Sequence, residues 1–222
     1  MLVHVIEKAQ QANIGAVFVA TDDERIASLA RSVGVDVYMT RSDHNSGSER
    51  LAEVVQDMDC DIVVNLQGDE PLIDPQAIRA VIEPFKENPT LSMATLAHPL
   101  LRKEDLHDPN VVKVICNAKG FAMYFSRAPI PFPRTPDLAT PLQHVGLYAY
   151  QKDFLLNYAN LSECPEGQAE QLEQLRVLHH GYHIAVSVGA FHCIGIDTPE
   201  DLARAQKLLT QKQSTHFTPP SK

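Results

Sequence analysis

Apolar residues at positions 2, 3, 5, 6 and 9 recur with a helical period, so Leu2 to Ala12 is expected to form an amphipathic helix. The run Ala16-Val17-Phe18-Val19-Ala20 follows, continuous enough for a strand buried on both faces. Asp22-Asp23-Glu24 then places acids where a helix dipole favours them, at the start of a second helix. That helix carries Ile26, Leu29, Ala30 and Val33 on one face and should stop at Gly34. Val35 to Met39 reads as a strand, Ser46 to Met58 as a helix, Asp61 to Leu66 as a strand, and Pro75 to about Lys86 as a helix. Strands alternating with helices predict an α/β fold: a mostly parallel sheet with helices on both faces.

The pattern changes after that. Val111–Ile115 and Phe121–Phe125 flank Asn117-Ala118-Lys119-Gly120, which predicts a small β-hairpin extension. Pro129, Pro131, Pro133, Pro136 and Pro141 make the next stretch unsuitable for helix or inner strand. Val145–Tyr150 reads as a strand, Lys152–Asn160 and Ala169–His179 as helices, Ile184–Val188 as a late strand, and Pro199–Leu209 as a closing amphipathic helix. No internal repeat or second-domain boundary is visible. The expected organisation is a single domain over 1–210, with a hairpin and proline-rich region at about 111–150 and a loose polar tail at 211–222.

Composition narrows the function. The chain has 222 residues, 44% of them hydrophobic, enough for a real core. Its net charge of −9 argues against a general nucleic-acid binder, which needs a basic face for phosphates. A small anionic substrate stays open, because a few arginines or Mg²⁺ reverse the field inside one cleft. The four cysteines form no CxxC pair, which points to thiols in a reducing compartment. No apolar run reaches the ~20 residues of a membrane span, and the first residues lack a signal peptide's basic start. A cytoplasmic protein is expected.

Three segments could carry chemistry. Gln67-Gly68-Asp69-Glu70-Pro71 follows an apolar strand, and ligands of open α/β sheets sit beyond the carboxyl ends of strands. Gly68 would let backbone approach a ligand, and Asp69 could hold a hard cation; an ordinary turn explains the same residues. In Gly195-Ile196-Asp197-Thr198-Pro199, helix capping accounts for Thr198 and Pro199, while Asp197 could face the same cleft as Asp69. Two carboxylates on one Mg²⁺ would suit phosphoryl chemistry, though spacing alone does not bring them together. Thr40 to Arg50 is dense in hydrogen-bonding groups and opens a helix, so it suits an anion or a base; a solvated loop capped by Ser46 is the plainer alternative. A zinc site at His179, His180 and His183 is not expected, because adjacent helical residues point apart.

These pieces occur in register in one family. Thr40-Arg41-Ser42-Asp43-His44-Asn45-Ser46-Gly47-Ser48-Glu49-Arg50, Val64-Asn65-Leu66-Gln67-Gly68-Asp69-Glu70-Pro71, Tyr124-Phe125-Ser126-Arg127-Ala128-Pro129, His144-Val145-Gly146-Leu147-Tyr148, Leu172-Glu173-Gln174-Leu175-Arg176 and Ile196-Asp197-Thr198-Pro199 resemble the CMP-Kdo synthetases, or 3-deoxy-manno-octulosonate cytidylyltransferases. The resemblance implies the nucleotide-diphospho-sugar transferase fold, a homodimer built on the middle hairpin region, and the reaction of CTP with Kdo to CMP-Kdo and pyrophosphate, for lipopolysaccharide synthesis. It implies Asp69 and Asp197 as Mg²⁺ ligands and catalytic residues. Ser46, Gly47, Arg50 and Gln67 match the cytidine side; Arg127, His144, Glu173 and Gln174 match the Kdo side.

The family opens with a strand and a basic phosphate-binding loop, and here Met1-Leu2-Val3-His4-Val5 matches the helix just after that loop. Impaired activity is therefore expected of the 222-residue chain. Two other functions compete: a cytidylyltransferase for another acidic sugar such as a sialic acid, and a non-catalytic dimerising remnant.

Overall fold

The computed structural model describes residues 1–44, 46–135 and 138–191. Asp197, the expected helix at 199–209 and the tail at 211–222 lie outside the described residues.

The first half alternates as the pattern predicts. Helix α1 (Leu2–Ala12) ends on Asn13 in the left-handed region, a conformation asparagine tolerates. Strand β1 (Phe18–Thr21) leads to α2 (Glu24–Ser32), where the Asp23 carboxylate accepts the Arg25 N–H at 2.8 Å and caps the helix. Gly34 follows at φ 78°, the left-handed residue that stops α2. Strand β2 (Asp36–Met39), α3 (Gly47–Val55) and β3 (Ile62–Asn65) come next.

The α2 face differs from expectation. Ala27 and Ala30 are buried, whereas Ile26, Leu29 and Val33 are largely exposed. The helix covers a sheet of only two strands, β1 and β2. The two alanines seat against that narrow surface, and the longer side chains overhang it.

The helix expected over 75–86 is two: α4 (Pro75–Ala80) and α5 (Glu83–Glu87). Pro84 has no N–H for the carbonyl one turn earlier, so the ladder breaks there. Strand β4 (Met93–Pro99) follows, then a 3₁₀ turn (Lys103–His107), the hairpin of β5 (Lys113–Cys116) and β6 (Ala122–Ser126), and the long strand β7 (Leu142–Gln151). After α6 (Lys152–Tyr158), the helix expected over 169–179 is replaced by two: α7 (Pro165–Glu170), which starts four residues earlier, and α8 (Gln174–His179). Gln171 at φ 51° separates them. Strand β8 (Ile184–Val188) matches its expected span.

The larger sheet has six strands, β6-β5-β7-β4-β8 with β3 also on β7. Strands β3, β4, β5 and β8 run one way; β7 and β6 oppose them. Most strands therefore share a direction, although β7, in the middle, pairs antiparallel with each neighbour. Side chains alternate between two cores. Met93, Ala97, Tyr150, Ile184 and Val186 meet one set of helices, including Val55, Phe154 and Leu175. Ala94, Leu96, Leu147, Ala149 and Ala185 meet the other, including Ile73, Ile78 and Val81. The period of two thus puts helices on both faces.

Among the described residues, β1 pairs only with β2, and β3 only with β7. A largely apolar cavity of about 630 Å³ lies between them, lined by Val17 and Val19 on one side, Val64 and Leu66 on the other, and Ile6 of α1. Asp22, Arg50, Gln67 and Gly68 supply its polar lining, beside the carboxyl ends of β1 and β3.

Candidate active site

The site begins where α3 starts. The Ser46 hydroxyl accepts the Glu49 N–H at 3.2 Å and caps the helix. Gly47 follows directly against Gln67: a Cβ on Gly47 would stand 3.3 Å from Gln67 Nε2. Glycine therefore lets the helix start and the strand end approach closely. Gln67 Nε2 donates to Asn65 Oδ1 at 3.4 Å, and Asn65 Nδ2 reaches Ser48 Oγ at 3.5 Å. Arg50, one turn along α3, bonds the Thr40 hydroxyl, the Arg41 carbonyl at 3.2 Å and the Asp22 carboxylate at 3.3 Å. The four residues matched to the cytidine side thus form one polar lip, and Gly47, Arg50 and Gln67 line the cavity.

The sugar-acid residues divide. Glu173 lies beside the lip, near enough to the Ser46 side chain for that neighbour to favour its charged form. Partial desolvation pushes that carboxyl above its ordinary range, against the opposing pull of Arg176 and of the Ser46 side chain. Gln174 beside it is buried, and its Nε2 has no partner among the described residues. A buried amide N–H left open is costly unless a ligand takes it up.

His144 lies on β7 with Nε2 3.0 Å from Thr95 Oγ1. That hydroxyl also contacts the Leu147 carbonyl at 2.9 Å. With its one hydrogen given to the carbonyl, the hydroxyl accepts from His144, which assigns the proton to Nε2. Burial holds the imidazole pKa down at about 3, so His144 is neutral. Its ring meets Phe125 edge-on at 4.9 Å and Tyr148 at 5.5 Å. Burial drives the Tyr148 and Tyr150 hydroxyls well above their ordinary range, and the Glu173 charge adds to both shifts. His144, the tyrosines, Glu173 and Ser46 therefore belong to one neighbourhood.

Arg127 is differently placed. Its guanidinium donates to the carbonyls of Glu170 at 2.7 Å, Pro109 at 2.8 Å and Gln171 at 3.4 Å, tying the hairpin to α7. Those three bonds leave one N–H on each terminal nitrogen, two of the guanidinium's five donors, for a substrate carboxylate. Asp69 is exposed in the turn after β3, next to Gly68, where a Cβ would meet nothing within 4 Å. An exposed carboxylate beside open space suits a hard cation. Its expected counterpart, Asp197, lies outside the described residues.

Sequence reasoning missed several members of this neighbourhood. Asn65 carried a signal, a polar residue ending an apolar strand. Thr95 carried none, since its strand went unrecognised. Arg176, on a helix, carried no sign of burial, yet it is buried against Tyr158, with its guanidinium carbon 4.2 Å from the ring centroid and Glu163 at 3.2 Å.

The cytidylyltransferase family profile matches residues 1–188. The 3-deoxy-manno-octulosonate cytidylyltransferase of Syntrophotalea carbinolica is 49% identical over 216 residues, covering 93% of this chain and 86% of the relative. The Escherichia coli protein of the same name is 43% identical over 213 residues, covering 96% and 86%. A solved CMP:2-keto-3-deoxy-manno-octonic acid synthetase, complexed with CTP, superposes with a TM-score of 0.90 at 42% identity, over 95% of this chain and 88% of that one. With the nucleotidyltransferase fold and the motifs in register, the chain belongs to the cytidylyltransferase family, among the 3-deoxy-manno-octulosonate cytidylyltransferases.

Proposed function

We infer that this chain transfers CMP from CTP to 3-deoxy-manno-octulosonate, giving CMP-Kdo and pyrophosphate, the activated sugar for lipopolysaccharide synthesis. The observation that carries this reading is the superposition, over 95% of the chain, on a synthetase complexed with CTP.

The sugar's anomeric hydroxyl attacks the α-phosphorus while pyrophosphate departs in line, so positioning and charge neutralisation are the main tasks. The Ser46–Gly47 turn, Arg50 and Gln67 hold the cytidine side. Glu173, Gln174 and neutral His144 orient the sugar acid; an imidazole with so low a pKa acts as a hydrogen-bonding group. Arg127 fixes α7 against the hairpin and offers its two remaining N–H groups to the sugar acid's carboxylate. Asp69, with Asp197, would hold Mg²⁺, which supplies positive charge to the phosphates.

A homodimer through the hairpin region completes the reading. Leu101, Met123, Phe132 and Leu138 are 78%, 61%, 80% and 81% exposed there, the apolar surface a partner would cover. The test of the substrate is pyrophosphate release from CTP with Kdo and, separately, with a sialic acid. Turnover with Kdo is expected to dominate; faster turnover with sialic acid would overturn the assignment. No release with either sugar, from a chain extended by the family's opening loop, would favour a non-catalytic role.

A further inference from the structure

Cys164, Glu166 and His179 stand outside the nucleotide and sugar-acid cluster. Cys164 caps α7, Glu166 lies in its first turn, and His179 ends α8. One ligand atom from each (thiol sulfur, carboxylate oxygen, ring nitrogen) lies within 4.8 Å of both others. Nδ1 of His179 and Oε2 of Glu166 are 3.2 Å apart. That is close to the edge of a tetrahedron whose legs are metal–nitrogen and metal–oxygen bonds of about 2.0–2.1 Å. The third vertex has a fixed donor. Cys164 is 1% exposed, and its sulfur accepts the Gly167 N–H at 3.3 Å. Gly167 makes room for it, since a Cβ there would lie 2.9 Å from the sulfur. The other two ligands are half exposed, at 43% and 50%, so a change of rotamer can close them on the sulfur.

We propose that Cys164, Glu166 and His179 form a binding site for a thiophilic divalent cation of the zinc class, with water as the fourth ligand. A thiolate, an imidazole and one carboxylate select such an ion over Mg²⁺, which prefers a shell of oxygens. The plainer alternative is a surface His–Glu pair beside a capping cysteine, and only the first reading requires the sulfur. Occupation would join the start of α7 to the end of α8. The segment between them carries Glu173 and Gln174, so the ion would brace that segment without touching it.

The test is a titration of Co²⁺ into chelator-treated protein, followed by absorption. A sulfur-to-cobalt charge-transfer band is expected, saturating near one equivalent, abolished by equimolar Zn²⁺ and untouched by excess Mg²⁺. Cys164→Ser should remove the band while keeping the fold, because serine caps α7 as well as cysteine does. Circular dichroism checks that fold. His179→Gln should keep the sulfur but weaken binding by at least about tenfold. An unchanged band in folded Cys164→Ser would place the cobalt on another thiol and overturn the proposal. So would wild-type protein that binds no cobalt at tens of micromolar, or equal affinity in His179→Gln.

Discussion

The hydroxyls of Ser48 and Tyr150 meet at 3.0 Å, joining residues 102 positions apart. Both are buried, one in the first turn of α3 and the other on β7. The bond fixes the lip that holds Ser46 and Gly47 to the middle of the sheet. Tyr150→Phe removes one partner and leaves the ring packing in place. It should lower unfolding free energy by about 1 kcal/mol, read by urea denaturation. Ser48 retains the Asn65 amide at 3.5 Å, so a much larger loss would mean that the hydroxyl supports more than this pair.

His144 predicts a dependence on pH. Its folded pKa is near 3, against about 6.5 for an unperturbed imidazole. Between those values the unfolded chain binds the proton and the folded chain does not, so stability is full above about pH 6.5 and falls as pH drops toward 3. The limiting slope is about 1.4 kcal/mol per pH unit. His144→Gln lacks this contribution. The difference between the two chains' stability-against-pH curves should therefore vanish in slope above pH 7 and grow below 6. Parallel curves from pH 4 to 7 would show that His144 titrates normally.

Asp69→Asn tests the cation. The amide is nearly isosteric and a poorer ligand for Mg²⁺. Turnover should fall strongly at limiting Mg²⁺ while the thermal midpoint stays within a degree or two. Equal Mg²⁺ dependence in both proteins would remove Asp69 from the metal site.

The cavity between β1 and β3 predicts a gain in stability when it is filled. Two strand edges and about 630 Å³ of mostly apolar space face each other there. A chain extended at its N-terminus by the family's opening strand and basic loop should gain pairing on both edges. It should also gain phosphate donors beside Arg50 and Gln67. Its thermal midpoint should rise, because the open backbone groups of both edges find partners. An unchanged midpoint would show that the two edges gain no pairing.

Much of the fold was legible because its signals are local. Asp23 and Ser46 announced their helices, and the largely apolar run Ile184 to Val188 announced β8. Strand β4 was not legible. Its first six residues are buried, polar Thr95 and His98 among them, so polarity marks no solvent face, and Met, Ala and His give little strand propensity. The division of α7 from α8 depends on one left-handed glutamine, Gln171, which no glycine advertised. For the site, spacing could not say that Ser46 lies near Glu173 or that Arg127 bonds backbone carbonyls. Both depend on how remote elements pack. The motif match brought the correct segments forward, but the partner of each side chain became visible only in three dimensions.

Strand β7 also sets the order in which the chain can fold. β3 has no other partner among the described residues, and its register joins Ile62 to Gln151, 89 positions later (151 − 62). During synthesis, the chain must emerge as far as β7 before that edge closes. Such distant pairing slows folding and leaves apolar strand edges open to other chains in the interval. Nascent chains ending before Leu142 should therefore be the form that chaperones hold and that aggregates. Release should coincide with the appearance of β7.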